Sequence, residues 1–199
     1  MDDLIINGVN VANLLKEKYE KLKQDWVTLL QVPVEKSMLA NIEAIKVLQS
    51  MGYKGIYITL SKDYISLAEM FKNNGIDLDQ LTFIDGISQM YGIKEVSAPN
   101  VVYVEGPLST DAITESIVKI SPTIKEDKKF VFLDSITTVL LYNSLERTMK
   151  FSQFFSETLK KLSLVGIVVS VSKGVTNEEL INELEKLADE VVDLNDKSE

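Results

Sequence analysis

The segment FVFLDSITTVLLY, residues 130–142, decides the fold. Large apolar residues run without interruption to Asp134, which is followed by Ser135. An unbroken apolar run of this kind is typical of a parallel strand that is buried on both faces. An aspartate at the end of such a strand is also the Walker B arrangement, in which the carboxylate holds Mg²⁺. An aspartate that only caps the following turn gives the same pattern, so both interpretations of Asp134 stay open.

Strands and helices alternate on both sides of this segment. The sequence predicts further strands over 26–32, 55–60, 81–85, 101–105, 166–171 and 190–194, and helices over 37–49, 63–73, 110–120, 145–162 and 178–188. Apolar strands that alternate with helices predict an α/β domain of three layers, with a mainly parallel central sheet covered by helices on both faces. Ligands of such sheets bind outside the carboxyl ends of the strands.

The predicted α/β domain covers residues 26–194. Residues 1–25 precede it as a lead-in segment with one helix, for which Asn10 is the candidate N-cap. Residues 195–199 form a short acidic tail. The sequence leaves open whether the lead-in packs on its own domain or on a neighbour.

Composition excludes several classes of chemistry. The 199 residues contain no cysteine and no histidine, which removes thiolate zinc sites, cysteine nucleophiles and serine–histidine triads. The net charge of −9 disfavours non-specific binding to nucleic acid, and Arg147 is the single arginine among 21 basic residues. No apolar run approaches the roughly 20 residues that span a membrane, and the Met-Asp-Asp start lacks the basic flank of a signal peptide, so we expect a cytoplasmic protein.

The junction between the first predicted strand of the sheet and its helix is where a phosphate-binding loop would lie. The loop pattern G-x-x-x-x-G-K-[ST] aligns with Leu30–Ser37, which reads LQVPVEKS. Lys36 and Ser37 match the end of the pattern, whereas both glycines are missing. The Lys-Ser pair alone is weak support, although its position before an amphipathic helix adds weight.

The chain resembles the RecA superfamily, and within it the KaiC-like branch with its short archaeal members. The segment 130–142 is similar to the Walker B segment of that family, and 55–61, 85–88 and 101–107 are similar to other segments of the short archaeal relatives. The resemblance spans roughly residues 25–194. It implies a RecA-like fold, an archaeal origin and a former MgATP site, with Lys36 on the phosphates and with Ser37 and Asp134 on the metal ion.

The departures from the family pattern concern the chemistry. Pro33 has no N–H to offer a phosphate, and Glu35 stands where the last glycine should be. Charge repulsion by Glu35, together with the strain of a non-glycine residue at this point of the loop, would weaken ATP binding by about three to four decades. The water-activating carboxylates that the family places after the second strand are replaced by Ser61 and Lys62. Asp63 is displaced and fits the start of a helix instead.

These departures predict a pseudo-ATPase, a KaiC-like domain without catalytic residues that serves as a regulatory or protein-interaction module. The alternative is a nucleotide-binding protein or slow ATPase with a remodelled loop that uses Lys36, Ser37 and Asp134. A role on DNA is a third hypothesis, and the net charge argues against it. We expect no cofactor, or at most weak MgATP binding, and we expect partners to be proteins or further copies of the chain, without nucleic acid or membrane.

Without nucleotide at subunit interfaces, a monomer or homodimer is favoured over a hexamer, with residues 1–25 as the expected contact. Three further features each allow two interpretations. Met90, Tyr91 and Ile93 in the loop 86–100 either tuck over the sheet or form a contact surface. Arg147 is an inter-subunit finger or a solvated charge. The apolar row on the long helix, Phe151, Phe154 and Phe155, is core or a partner groove.

Overall fold

Strands and helices alternate along the chain in the computed structural model, which describes residues 4–23, 25–162, 166–172 and 174–195. The strands are β1 Ile5–Ile6, β2 Val9–Asn10, β3 Trp26–Val32, β4 Lys54–Thr59, β5 Leu81–Asp85, β6 Val101–Tyr103, β7 Lys129–Asp134, β8 Gly166–Ser172 and β9 Glu190–Asp193. The helices are α1 Val11–Lys21, α2 Ser37–Ser50, α3 Tyr64–Asn73, α4 Thr110–Ile120, α5 Ile136–Tyr142, α6 Leu145–Lys161 and α7 Glu178–Leu187.

Within the described ranges, seven strands form one sheet in the order β6-β5-β4-β7-β8-β3-β9, and every neighbouring pair is parallel. The strand β8 separates β3 from β7. The junction after β3 and the aspartate at the end of β7 therefore lie two strands apart along the carboxyl edge of the sheet.

The sheet is buried on both faces, which confirms the predicted three-layer α/β architecture. Successive side chains of a strand point to opposite faces. One set, which includes Tyr57 and Phe132, packs under α1, α2 and α3, and the other set, which includes Ile58 and Val131, packs under α4, α5, α6 and α7.

The first helix lies on its own domain. Asn10 is its N-cap and accepts a hydrogen bond from the Asn13 backbone N–H at 2.9 Å, as the sequence predicted. The buried ring of Tyr19 stacks on Trp26 at the start of β3, with 5.3 Å between the ring centroids. The question that the sequence left open is thus answered for α1, which packs against α2 and β9 of the same chain.

Several elements differ from the sequence-based expectation. The lead-in segment carries two short antiparallel strands, β1 and β2, in addition to the predicted helix. Residues 136–142 form helix α5, which the sequence did not predict as a helix; it is two turns long and is held by the burial of Ile136 and Val139. Strand β6 ends at Tyr103 instead of Glu105, because the chain turns away at Gly106, where φ is 140°.

Candidate functional site

The carboxyl edge of the sheet brings the predicted site residues into one region. The relevant ends are those of β3, β8, β7 and β4, which are followed by Pro33, by the loop before α7, by Ser135 and by Leu60. In an open parallel sheet this edge is the expected place for a ligand.

The junction between β3 and α2 is a closed turn. Pro33 is extended, and Val34–Lys36 form a single 3₁₀ turn before α2 begins at Ser37. The Lys36 N–H donates to the Pro33 carbonyl at 3.0 Å, and the Ser37 N–H donates to the Val34 carbonyl. The Ser37 hydroxyl donates to the same Val34 carbonyl at 2.9 Å. We call residues 33–37 the closed junction, because two of its amides and its hydroxyl bond within the turn.

The charged residues of the closed junction face solvent. The side chains of Glu35 and Lys36 are exposed. Neither forms a hydrogen bond or ion pair within the part of the chain that the structure describes. The Lys36 ammonium is therefore available to bind an anion. The neighbouring Glu35 carboxylate would repel the same anion.

Asp134 is turned into the core. Its side chain is 5% exposed, and the Tyr57 hydroxyl donates a hydrogen bond to its Oδ2 at 2.6 Å. Tyr57 is held by Phe132, whose ring lies nearly parallel at 5.1 Å between centroids. Burial raises the pKa of Asp134 above its usual value, opposed by the Tyr57 hydroxyl, the nearby Asn41 amide and the charge of Lys62. Burial also raises the pKa of Tyr57, so this hydroxyl stays protonated.

Helix α2 brings Asn41, one turn after Ser37, close to Asp134. The Asn41 Oδ1 accepts a hydrogen bond from the Ser170 hydroxyl of β8 at 3.1 Å. Its buried Nδ2 has no hydrogen-bond partner among the described residues. In the same ranges no hydrogen bond joins Ser37 to Asp134. The sequence predicted neither Asn41 nor Tyr57 as a site residue, although a buried polar residue on an otherwise apolar helix face is a signal that could have indicated Asn41.

The segment after β4 carries no free carboxylate where the family pattern has its water-activating residue. The Thr59 hydroxyl donates to the Lys62 carbonyl at 2.6 Å and closes the turn that contains Ser61. The sequence predicted Asp63 as a charge at the start of a helix; the structure places it as the N-cap of α3, where it accepts the Ser66 N–H at 3.0 Å. Although burial acts to raise it, the pKa of Asp63 is held below its usual value by the hydrogen bonds from Ser66.

Asp85, at the end of β5, ties the neighbouring loops to the sheet. The buried carboxylate accepts hydrogen bonds from the N–H groups of Ile87 at 2.7 Å, Ser88 at 2.9 Å and Tyr64 at 2.7 Å, and from the Ser88 hydroxyl at 2.7 Å. One side chain therefore fixes both the start of α3 and the start of the loop 86–100. This fully engaged carboxylate is an anchor for the edge.

Apolar side chains are exposed along the same edge. A groove of about 500 Å³ is lined by Lys62, Tyr91, Leu141 and Tyr142, among others. The hydroxyls of Tyr91 and Tyr142 lie 2.8 Å apart, and the side chain of Leu141 is 75% exposed. We call this region the carboxyl-edge surface; its further exposed members are Val34, Leu39, Ile65, Met90, Ile93, Leu108 and Val175. The residues of the loop 86–100 that the sequence singled out thus face solvent.

Arg147 lies near this surface without an acidic partner in the described ranges. Its guanidinium donates to the Leu108 carbonyl at 3.3 Å, and its side chain is exposed. The inter-subunit finger and the solvated charge both stay predictions for Arg147. Within the described residues, no group of three acidic, histidine or cysteine side chains is placed to hold a metal ion.

A family comparison covers most of the chain. Residues 67–199 match DUF7090, a family of unknown function. The chain belongs to this family. No curated protein matches its sequence. Of the helices in the described ranges, none is both long enough and apolar enough to cross a membrane.

Solved structures share the fold of this DUF7090 chain. The uncharacterised protein PH0321 of Pyrococcus horikoshii, crystallised with an unknown peptide, superposes with a TM-score of 0.66 at 16% identity over 90% of this chain and 81% of its own. The KaiC-like protein PH0186 of the same organism gives 0.59 at 16% identity over 89% and 75%. The flagellar accessory protein FlaH of Methanocaldococcus jannaschii gives 0.62 at 11% identity over 91% and 76%. These neighbours confirm the predicted RecA-like, KaiC-like fold.

Proposed function

We propose that this chain is a non-catalytic, cytoplasmic KaiC-like domain that works as a regulatory module by binding a protein at its carboxyl-edge surface. The closed junction carries the proposal. A phosphate-binding loop needs several backbone N–H groups that point to one centre. Here Pro33 has no N–H, and the N–H groups of Lys36 and Ser37 bond to carbonyls of the turn itself.

The metal side of a MgATP site is equally poor. The Ser37 hydroxyl donates to the Val34 carbonyl and not to Asp134, and the Asp134 carboxylate is engaged with Tyr57 in the core, so the two predicted metal ligands are not joined. In the described turn 60–63 between β4 and α3, the carboxylate present is that of Asp63, and it caps α3. As folded, these residues do not fit MgATP, and we derive no reaction step through it.

The carboxyl-edge surface supports the interaction part of the proposal. In a RecA-like ATPase this edge surrounds phosphates, which calls for polar and basic groups. In this chain it exposes Tyr91, Leu141 and Val175. Tyr91 and Leu141 line one groove, and exposed apolar groups that lie side by side are typical of protein-binding surfaces. The peptide bound to PH0321 shows that one neighbour of this fold takes a peptide.

Calorimetric titration tests the first half of the proposal. MgATP and MgADP are titrated into the full chain and into Lys36→Ala. We expect no saturable heat up to millimolar nucleotide in either protein. Micromolar binding that is lost in Lys36→Ala would overturn the proposal in favour of a remodelled nucleotide site.

Parallel affinity capture tests the second half. The wild-type chain, Leu141→Asp and Ile5→Asp are used as baits on extract of the source organism; Leu141 and Ile5 are both exposed, and Ile5 lies on β1, outside the carboxyl-edge surface. We expect the same specific protein on wild type and Ile5→Asp, and its loss on Leu141→Asp. A partner that Leu141→Asp retains contradicts this location.

A further inference from the structure

A second apolar groove lies between the outer sides of α4 and α6. It has a volume of about 420 Å³, and its lining includes Thr114, Val118, Phe154 and Thr158. The phenylalanine row predicted from sequence divides here: Phe151 and Phe155 are core residues, whereas the side chain of Phe154 is 56% exposed. We call this region the α4–α6 groove.

An ion pair on α4 borders the groove. Glu115 and Lys119 both line it, and the Lys119 Nζ lies 3.8 Å from the Glu115 Oε2. Their side chains are 71% and 77% exposed, so this pair contributes little to the stability of the monomer. The pair is therefore available to a partner.

The order of these charges makes α4 complementary to itself. A two-fold axis requires that residue i of one copy meets residue j of the other, and the reverse. If the axis passes halfway between Glu115 and Lys119, at the level of residue 117, and the two α4 helices run antiparallel, Glu115 of each copy faces Lys119 of the other. Residues four apart lie one above the other on a helix face, so both pairs form at once. The exposed rings of Phe154 flank this contact.

We propose that the occupant of the α4–α6 groove is a second copy of this chain, giving a two-fold symmetric dimer. Each copy carries a net charge of −9, so two copies repel at long range. A stable interface between two such copies needs opposite charges in direct contact. Glu115 of each copy paired with Lys119 of the other provides them. The dimer goes beyond the proposed function, because it uses another surface of the molecule.

Sedimentation equilibrium of the full chain over a wide concentration range tests the dimer. We expect a monomer–dimer equilibrium, and Phe154→Asp should raise the dimer Kd about thirtyfold or more. Glu115→Lys sets like charges against each other in both pairs and should raise Kd about tenfold. The exchange variant Glu115→Lys/Lys119→Glu recreates both pairs with reversed polarity and should return Kd to within about threefold of wild type.

A matched control is available on α1, where Glu17 and Lys21 form an exposed ion pair with the same spacing. Glu17→Lys should leave the dimer Kd unchanged. A monomer at all concentrations overturns the proposal, as does an exchange variant that fails to restore the dimer. A dimer that is weakened by Glu17→Lys and not by Glu115→Lys also overturns it, because the contact would then lie in the N-terminal segment. Leu141→Asp, which tests the proposed function, should dimerise like wild type, so the two proposals fail separately.

Discussion

Tyr57→Phe is the most direct test of how Asp134 is held. The hydroxyl of Tyr57 donates to Oδ2 of Asp134 at 2.6 Å, and both side chains are buried. The phenylalanine ring keeps the stacking on Phe132, so the substitution removes little except this hydrogen bond. A hydrogen bond to a buried charged group contributes about 1.5–3 kcal/mol, and an orphaned carboxylate adds a desolvation cost. We expect the free energy of unfolding to fall by about 3 kcal/mol at pH 7.

The loss should depend on pH, with a sign fixed by the pKa of Asp134. Burial raises this pKa above its usual value, so the folded state binds the proton more tightly than the unfolded state. The Tyr57 hydroxyl opposes that rise, and its removal raises the pKa further. The variant therefore gains stability relative to wild type as the pH falls from 7 through the raised pKa. Once Asp134 is protonated in both proteins, the remaining loss is that of a neutral hydrogen bond, about 1 kcal/mol.

Urea unfolding at neutral and mildly acidic pH measures both quantities. Tyr64→Phe is the matched control, because the Tyr64 hydroxyl donates to the neutral Asn100 Oδ1 at 2.9 Å. It should cost about 1 kcal/mol at either pH. A loss for Tyr57→Phe below about 1 kcal/mol at pH 7, or one that is equal at both pH values, would refute the reasoning.

Two further predictions concern buried positions around the edge and the core. Asp85→Ala leaves the donors of Ser88 and Tyr64 without their acceptor, so the free energy of unfolding should fall by about 3–5 kcal/mol. Amide hydrogen exchange at the start of the loop 86–100 should become faster. Unchanged exchange there would contradict the anchoring role of Asp85. Gly166→Ala places a Cβ against the Trp26 ring, closer than atoms can approach, and should cost about 2–3 kcal/mol in urea unfolding. Its control is Gly174→Ala, where space is open and φ is 91°; this control should cost only about 1 kcal/mol, and equal losses would argue against the steric cause.

The sequence predicted the sheet well because buried parallel strands read as continuous apolar runs. The segment 130–134 and the strands on either side of it needed no knowledge of tertiary contacts. The capping role of Asn10 and the position of Asp63 at the start of a helix were also predictable, since both act on the first turn of their own helix. The short helix α5 was not predicted, because burial of Ile136 and Val139 holds it.

The arrangement of the candidate site depended on contacts that sequence spacing does not reveal. Tyr57 and Asp134 are 77 residues apart in the chain and meet only through the pairing of β4 with β7. The approach of Asn41 depends on the rotation of α2 about its axis. Ser37 was a correct position for the start of α2, but its hydroxyl direction is set by the turn before it. The metal roles of Ser37 and Asp134 stay predictions that the nucleotide titration tests.

The closed junction also has a consequence for how partner binding by this domain is controlled. A domain that binds and hydrolyses ATP alternates between states, and each turnover resets its surfaces. In the turn at Pro33–Ser37, the N–H groups of Lys36 and Ser37 and the Ser37 hydroxyl bond to carbonyls of the turn, and these bonds form without a phosphate. Under the proposed function the domain has no nucleotide-driven cycle of conformations. Its binding surface is exposed at all times, and the fraction of the domain with a bound partner follows mass action. Control would then come from the amounts of the domain and its partner in the cell.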